Sequence, residues 1–236
     1  MMKYLTFMII SCFSMSMTQQ KPVYILPVGD SITQGGKRDK QEYTYRLPLQ
    51  QVLYNNGVNY DFIGSRQQGL HEDATWPDVA EGVPFDPDHE GYYGNKTRNV
   101  VDKVLKAFPT YQQMPDLVLI HLGTNDQKEG SYYENVGRPL REFIQFLREK
   151  NPAVVVLLGH LNFEDGKAAV GIRKVVEQVA LDLHTSKSPV VTVDHYRNFI
   201  ANPDEVYTDT FDWAHPNLKG QEKMARKWFE VMQRFL

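Results

Sequence analysis

The chain has 236 residues, 42% of them apolar and 23% charged, with a net charge of −3. That length suits one α/β domain with a full core and is short for two. The small negative charge argues against nucleic acid as a partner, which calls for clustered lysine and arginine. The basic run from Lys37 to Lys40 is broken by Asp39 and reads as a solvated loop.

The first twenty residues read as a targeting segment. Lys3 supplies a short positive region, residues 4–13 an apolar core too short to span a bilayer, and Ser14, Ser16 and Thr18 the small residues a signal peptidase favours. Cleavage is expected near residues 16–20, leaving a mature segment of residues 21–236 without cysteine, since Cys12 is the only one. A second reading takes Ile9-Ile10-Ser11-Cys12 as a bacterial lipobox, with Cys12 lipidated and the protein anchored to a membrane surface rather than secreted or periplasmic.

Residues 23–28 form a short, β-branched-rich apolar run that stops at Gly29, which reads as a buried strand ending in a turn. Ser31 follows directly, at the strand edge where open parallel α/β sheets bind ligands. Helical spacing covers residues 45–56, with Gly57 as the stop, and a second strand is expected over 59–64. Residues 65–95 carry no regular period, and a loop that long within a domain is usually functional. It holds Trp76, Phe85, Tyr92 and Tyr93. Its acids, from Glu72 to Glu90, read as a solvated acidic loop, with calcium binding as the lesser alternative.

Beyond this loop the spacing predicts a helix over 96–108, a strand over 116–122 and a helix over 132–150, with Pro139 near its start or at a kink. A strand over 153–159, a helix over 167–184, a strand over 189–193 and a closing helix over 217–236 complete the chain. Strands alternating with helices mean βαβ units and a parallel sheet between helical layers.

Four short motifs fall at suitable places on this pattern: Gly29-Asp30-Ser31-Ile32-Thr33, His89-Glu90-Gly91-Tyr92-Tyr93-Gly94, Gly123-Thr124-Asn125-Asp126 and Asp212-Trp213-Ala214-His215-Pro216. Each alone is weak, and Asp30 and Ser31 could simply cap a helix. Together they supply what acyl transfer needs. A serine hydroxyl requires a base, and His215 can serve. An acid must hold the imidazole tautomer, and Asp212 lies one turn before it, although a backbone carbonyl could take that role. A developing oxyanion needs preset donors, and the N–H groups of Ser31 and Gly94 with the Asn125 amide provide three. Asp126 reads as structural. Asp30 reads as bonded to neighbouring backbone beside the substrate, with Tyr92, Tyr93 and Trp213 as candidate substrate contacts. His121 lies inside a strand and reads as core, whereas His160 and His195 follow strands and could line the cleft. No cluster has zinc spacing.

At these residues the chain resembles the SGNH or GDSL-type hydrolase superfamily. Gly29–Thr33 matches its nucleophile motif, Gly94 its glycine, Gly123–Asp126 its Gly-x-Asn-Asp motif and Asp212–Pro216 its Asp-x-x-His-Pro. The resemblance implies a flavodoxin-like three-layer sandwich, with a five-stranded parallel sheet of order 2-1-3-4-5 and helices on both faces. It also implies ester hydrolysis through Ser31, His215 and Asp212 without metal or cofactor. The Gly-x-Ser-x-Gly elbow of the α/β-hydrolases is absent, Thr33 standing where the second glycine would be. The His89–Gly94 segment is similar to that of carbohydrate esterases, especially acetylxylan esterases of family three, with Tyr93 where a small residue is commoner. The implied activity is removal of acetyl groups from a polysaccharide such as xylan. A lysophospholipase or acyl-thioesterase on the same scaffold, and a carbohydrate-binding protein without turnover, are the rivals.

Overall fold

The computed structural model describes residues 21–36, 44–71, 77–128 and 130–236. Residues 1–20, where a targeting segment and the Cys12 lipobox are expected, Trp76 and the 37–40 run lie outside the described residues. Six strands form one parallel sheet: β1 (Val23–Gly29), β2 (Tyr60–Phe62), β3 (Glu90–Gly91), β4 (Leu117–His121), β5 (Val155–Gly159) and β6 (Val190–Val193). Their order is β2-β1-β4-β5-β6, with β3 paired to the end of β1. Leaving the two-residue β3 aside, this is the expected 2-1-3-4-5 arrangement. β3 lies within the aperiodic stretch, too short to leave a pattern.

Strand side chains alternate between faces, and this divides the core in two. Leu26, Val28, Val118, Ile120, Val156 and Leu158 pack under α3 (Thr97–Ala107), α4 (Arg138–Lys150) and α5 (Lys167–Leu183). Ile25, Leu117, Leu119, Leu157 and Val193 face α2 (Arg46–Asn55) and α6 (Leu218–Met232) through Leu49, Leu53, Met224 and Trp228. A sheet covered on both faces explains the unbroken apolar runs of β1, β4 and β5. Where one helix was expected over 132–150, a wide π-type turn, Tyr133–Gly137, precedes α4, with Pro139 in the first turn of α4. Pro139 has no N–H for the helical ladder, and the turn widens just before it.

The long loop is tied down by its own acids. Glu90 is buried and accepts from the Ser65 N–H and the Tyr92 and Tyr111 hydroxyls, each at 2.6 Å. Asp86 accepts from the N–H groups of Phe62 (2.7 Å) and Asp88 (3.2 Å), and burial pushes its carboxyl up to about 6. The expected solvated acidic loop is corrected for these two carboxylates, which accept from backbone N–H groups and, for Glu90, from two tyrosine hydroxyls; Asp78 and Glu81 are exposed, as expected. Among the described residues no group of three or more histidines, cysteines or carboxylates is placed to hold a metal. No helix among them is long and apolar enough to cross a membrane.

His121, His160 and His195 are buried at the ends of β4, β5 and β6. The His195 ring lies 4.5 Å from that of Trp228 and 5.7 Å from that of His121, inside the second core. His160 is held against Tyr196. The expectation that His195 could line the cleft is therefore corrected: it is a packing residue, while His160 is buried with its Nε2 3.7 Å from Glu177. Burial pushes His121 and His160 down to about 4 and His195 well below its ordinary range, so all three are neutral near pH 7. A histidine buried neutral contributes stability that is present above pH 6.5 and lost as pH falls toward its lowered value. Relative to the parent, His195→Phe is expected to melt higher at pH 5 than at pH 7.5. A pH-independent difference in melting temperature would contradict the neutral burial of His195.

Candidate active site

The site is assembled from loops at the carboxyl ends of the strands, where an open α/β sheet leaves its crevice. After β1 the chain turns at Gly29. A Cβ there would lie 2.1 Å from Thr33 Oγ1 and 2.8 Å from the His121 carbonyl oxygen, so only glycine permits the close approach. The short helix α1 (Ser31–Gln34) follows, and Asp30 caps it by accepting from the Ile32 N–H at 3.0 Å. Asp30 is fully buried, and burial is the main cause that raises its carboxyl to about 7.

Ser31 Oγ lies 2.9 Å from His215 Nε2. His215 Nδ1 lies 2.8 Å and 3.0 Å from the two carboxylate oxygens of Asp212. Asp212 Oδ1 also accepts from the N–H groups of Ala214 (2.9 Å) and His215 (2.8 Å), which holds the carboxylate in place before the imidazole. Residues 184 positions apart in sequence are thus joined in one hydrogen-bonded line, with Ser31 and His215 each 5% exposed.

The three expected oxyanion donors come from three loops. The Asn125 side-chain amide donates to the Asn95 carbonyl at 3.0 Å and lies 3.5 Å from Asp30 Oδ2. Asn95 follows Gly94 and Asp30 precedes Ser31, so the Asn125 amide touches the sequence neighbours of both other expected donors. Gly94 has φ +69°, a left-handed conformation that favours glycine. Asp126 accepts from the Thr97 N–H (3.0 Å) and hydroxyl (2.8 Å), which anchors this turn to the start of α3.

The candidate substrate residues divide. The Tyr93 ring is parallel to that of His215 at 6° and 5.9 Å, and Phe211 faces the same imidazole at 5.7 Å. Trp213 is 58% exposed and stacks on Phe163 at 6.4 Å. Tyr92 instead gives its hydroxyl to Glu90, and its ring carries Arg66 and Lys103. It is engaged in the loop scaffold.

Two positioning groups escaped the sequence reading. Gln34 Oε1 accepts from the Tyr93 N–H at 2.6 Å, which couples α1 to the segment carrying Gly94. Arg46, fully buried, donates to the carbonyls of Thr33 (2.9 Å), Gln34 (3.1 Å) and Pro87 (2.7 Å), clamping the serine turn to the long loop. One signal for Arg46 was available: a cation in the first turn of a helix opposes the helix dipole and calls for specific partners. Gln34 left no such signal.

A serine, a histidine and an aspartate thus lie in one hydrogen-bonded line at the carboxyl edge of a parallel three-layer sheet. The chain belongs to the GDSL-like lipase/acylhydrolase family, whose model matches residues 28–223. It is 26% identical to a multidomain esterase of Ruminococcus flavefaciens, over 91% of this chain and 29% of that one, so it spans under a third of that relative's length. Its fold is similar to that of a family 3 carbohydrate esterase of Clostridium thermocellum, with TM-score 0.70 and 24% identity over 91% of this chain and 97% of that one. A carbohydrate esterase of family 3 from Talaromyces cellulolyticus is similar with TM-score 0.68 and 23% identity, over 90% and 97%.

Proposed function

We propose that this protein is a secreted serine esterase that removes O-acetyl groups from a polysaccharide, acetylated xylan being the substrate that fits best. The observation that carries the reading is the Ser31–His215–Asp212 line. His215 Nε2 takes the Ser31 proton as Oγ attacks the acetyl carbonyl. Negative charge gathers on the carbonyl oxygen, and the N–H groups of Ser31 and Gly94 and the Asn125 amide are the donors that meet it. The tetrahedral intermediate collapses, His215 returns the proton to the departing sugar hydroxyl, and Ser31 keeps the acetyl group. Water, deprotonated by His215, then attacks the acetyl ester and releases acetate.

The carbohydrate half of the reading rests on aromatic residues at the triad and on the family 3 carbohydrate esterases among its structural relatives. Tyr93 and Phe211 flank His215, and the exposed Trp213 offers a flat face to a sugar ring. Acetate release from a panel of acetylated polysaccharides, run beside 4-nitrophenyl esters of increasing chain length, tests it. The expected result is turnover of acetylated xylan and a preference for acetate. A preference for long acyl chains would favour a lysophospholipase or thioesterase, and no turnover at all would leave a binding protein.

The oxyanion assignment has its own test. Asn125→Ala is expected to lower kcat about a hundredfold while KM stays close to that of the parent, because the donor acts on the transition state. A raised KM with kcat intact would make Asn125 a substrate-binding residue instead.

A further inference from the structure

The loops that follow β5 and β6 enclose an open groove of about 590 Å³. The loop after β5 contributes Phe163, Glu164 and Asp165, and the loop after β6 contributes Asn202 and Glu205, with Gln127 also on the lining. A second hollow of about 520 Å³ shares Glu164, Phe199 and Ile200 with the first and continues past Arg197 and Asn198. The near end adjoins the chemistry. Gln127 is two residues beyond Asn125, and the Phe163 ring lies parallel to that of Trp213, two residues before His215. Either hollow alone falls in the range that holds a drug-sized ligand, which is larger than an acetyl group requires.

The lining is selective in its chemistry. Phe163 supplies an aromatic face, and the three carboxylates of Glu164, Asp165 and Glu205 supply acceptors for hydroxyl groups, while the Gln127 amide donates to the Thr124 carbonyl and the Asn202 amide is engaged with the Asp204 N–H and Glu205. Glu164 and Asp165 are exposed and have no ion-pair partner among the described residues. Arg197, at the far end, is paired with Asp194 at 3.2 Å. A fatty acyl chain laid here would cover carboxylates without compensating them. An anionic ligand would meet repulsion. A neutral saccharide chain can stack on the ring and hydrogen-bond to the polar groups.

We infer that this groove is a distal saccharide subsite: it holds the unreacted part of a neutral chain while the acetyl ester lies at Ser31, and its carboxylates select against chains bearing uronate groups. The inference rests on the reading of the protein as a polysaccharide acetylesterase and extends it to the shape and charge of the polymer.

The test compares kcat/KM for acetate release from an acetylated monosaccharide, a neutral acetylated tetrasaccharide of the same sugar, and a tetrasaccharide carrying one uronate. The neutral tetrasaccharide is expected to exceed the monosaccharide by about tenfold or more, and Phe163→Ala to bring that ratio toward one. Phe163 is half-buried against the core, so Phe163→Leu, which keeps an apolar side chain there and removes the aromatic face, is the second variant; it is expected to lower the same ratio while melting close to the parent. The triple change Glu164→Gln, Asp165→Asn, Glu205→Gln is expected to raise turnover of the uronate chain relative to the neutral one. Equal kcat/KM for monosaccharide and tetrasaccharide would overturn the subsite and leave the esterase reading intact. Equal turnover of neutral and uronate chains by the parent would overturn the charge selection. No acetate from any saccharide, with 4-nitrophenyl acetate still cleaved, would overturn the polysaccharide reading and the subsite with it.

Discussion

Ser31→Ala is expected to fold as the parent does and to lose roughly 10⁴-fold or more of kcat, since in the proposed mechanism Ser31 is the nucleophile and its removal abolishes the covalent step. The fold should survive because α1 does not depend on the hydroxyl. Asp30 accepts from the Ile32 N–H, Arg46 holds the Thr33 and Gln34 carbonyls, and Tyr45 and Thr33 hydrogen-bond through their hydroxyls at 3.1 Å. What the variant loses is one oxygen, 2.9 Å from His215 Nε2. Circular dichroism and melting temperature check the fold, and 4-nitrophenyl acetate turnover checks the rate. A variant with near-parental kcat would remove Ser31 from the chemistry.

The second large effect is expected at Asp212, and it has a direction in pH as well as a size. His215 must be neutral to accept the Ser31 proton, so kcat/KM falls on the acid side as the imidazole takes up a proton. The Asp212 carboxylate, 2.8 Å from Nδ1, favours the charged imidazolium. Asp212→Asn removes that charge, so the acid limb of the profile should move to lower pH. The rate should also fall, by as much as about 10⁴-fold, because an amide can donate to Nδ1 and hold the wrong tautomer. The loop itself retains an acceptor, since the asparagine oxygen can still receive the Ala214 and His215 N–H groups. Superimposable pH–rate profiles for parent and variant would demote Asp212 and leave Ser31 and His215 as a dyad.

The sheet was legible because its strands are covered on both faces. Apolar runs such as residues 117–120, between polar flanks, have few structures open to them other than a central parallel strand. The line through Ser31, His215 and Asp212 was legible for a different reason: each residue belongs to a short local motif that carries its own turn. What stayed hidden depends on partners remote in sequence. Gln34 meets a backbone N–H 59 residues away, and Arg46 meets a carbonyl 41 residues away, and neither meeting leaves a period or a spacing. Glu90 looked like one more acid in a polar loop until folding buried it among Ser65, Tyr92 and Tyr111. His195 misled in the opposite way: it follows a strand, as a site residue would, yet its ring turns inward onto Trp228.

The central claim, that Ser31 carries the acyl group, is tested most directly by covalent labelling. The intact enzyme is treated with an organophosphonate, digested, and the modified peptide mapped by mass spectrometry. The expected result is one adduct, on Ser31, with none in Ser31→Ala or in the parent unfolded before treatment. An adduct on another residue that forms as activity is lost, with Ser31 unmodified, would contradict it.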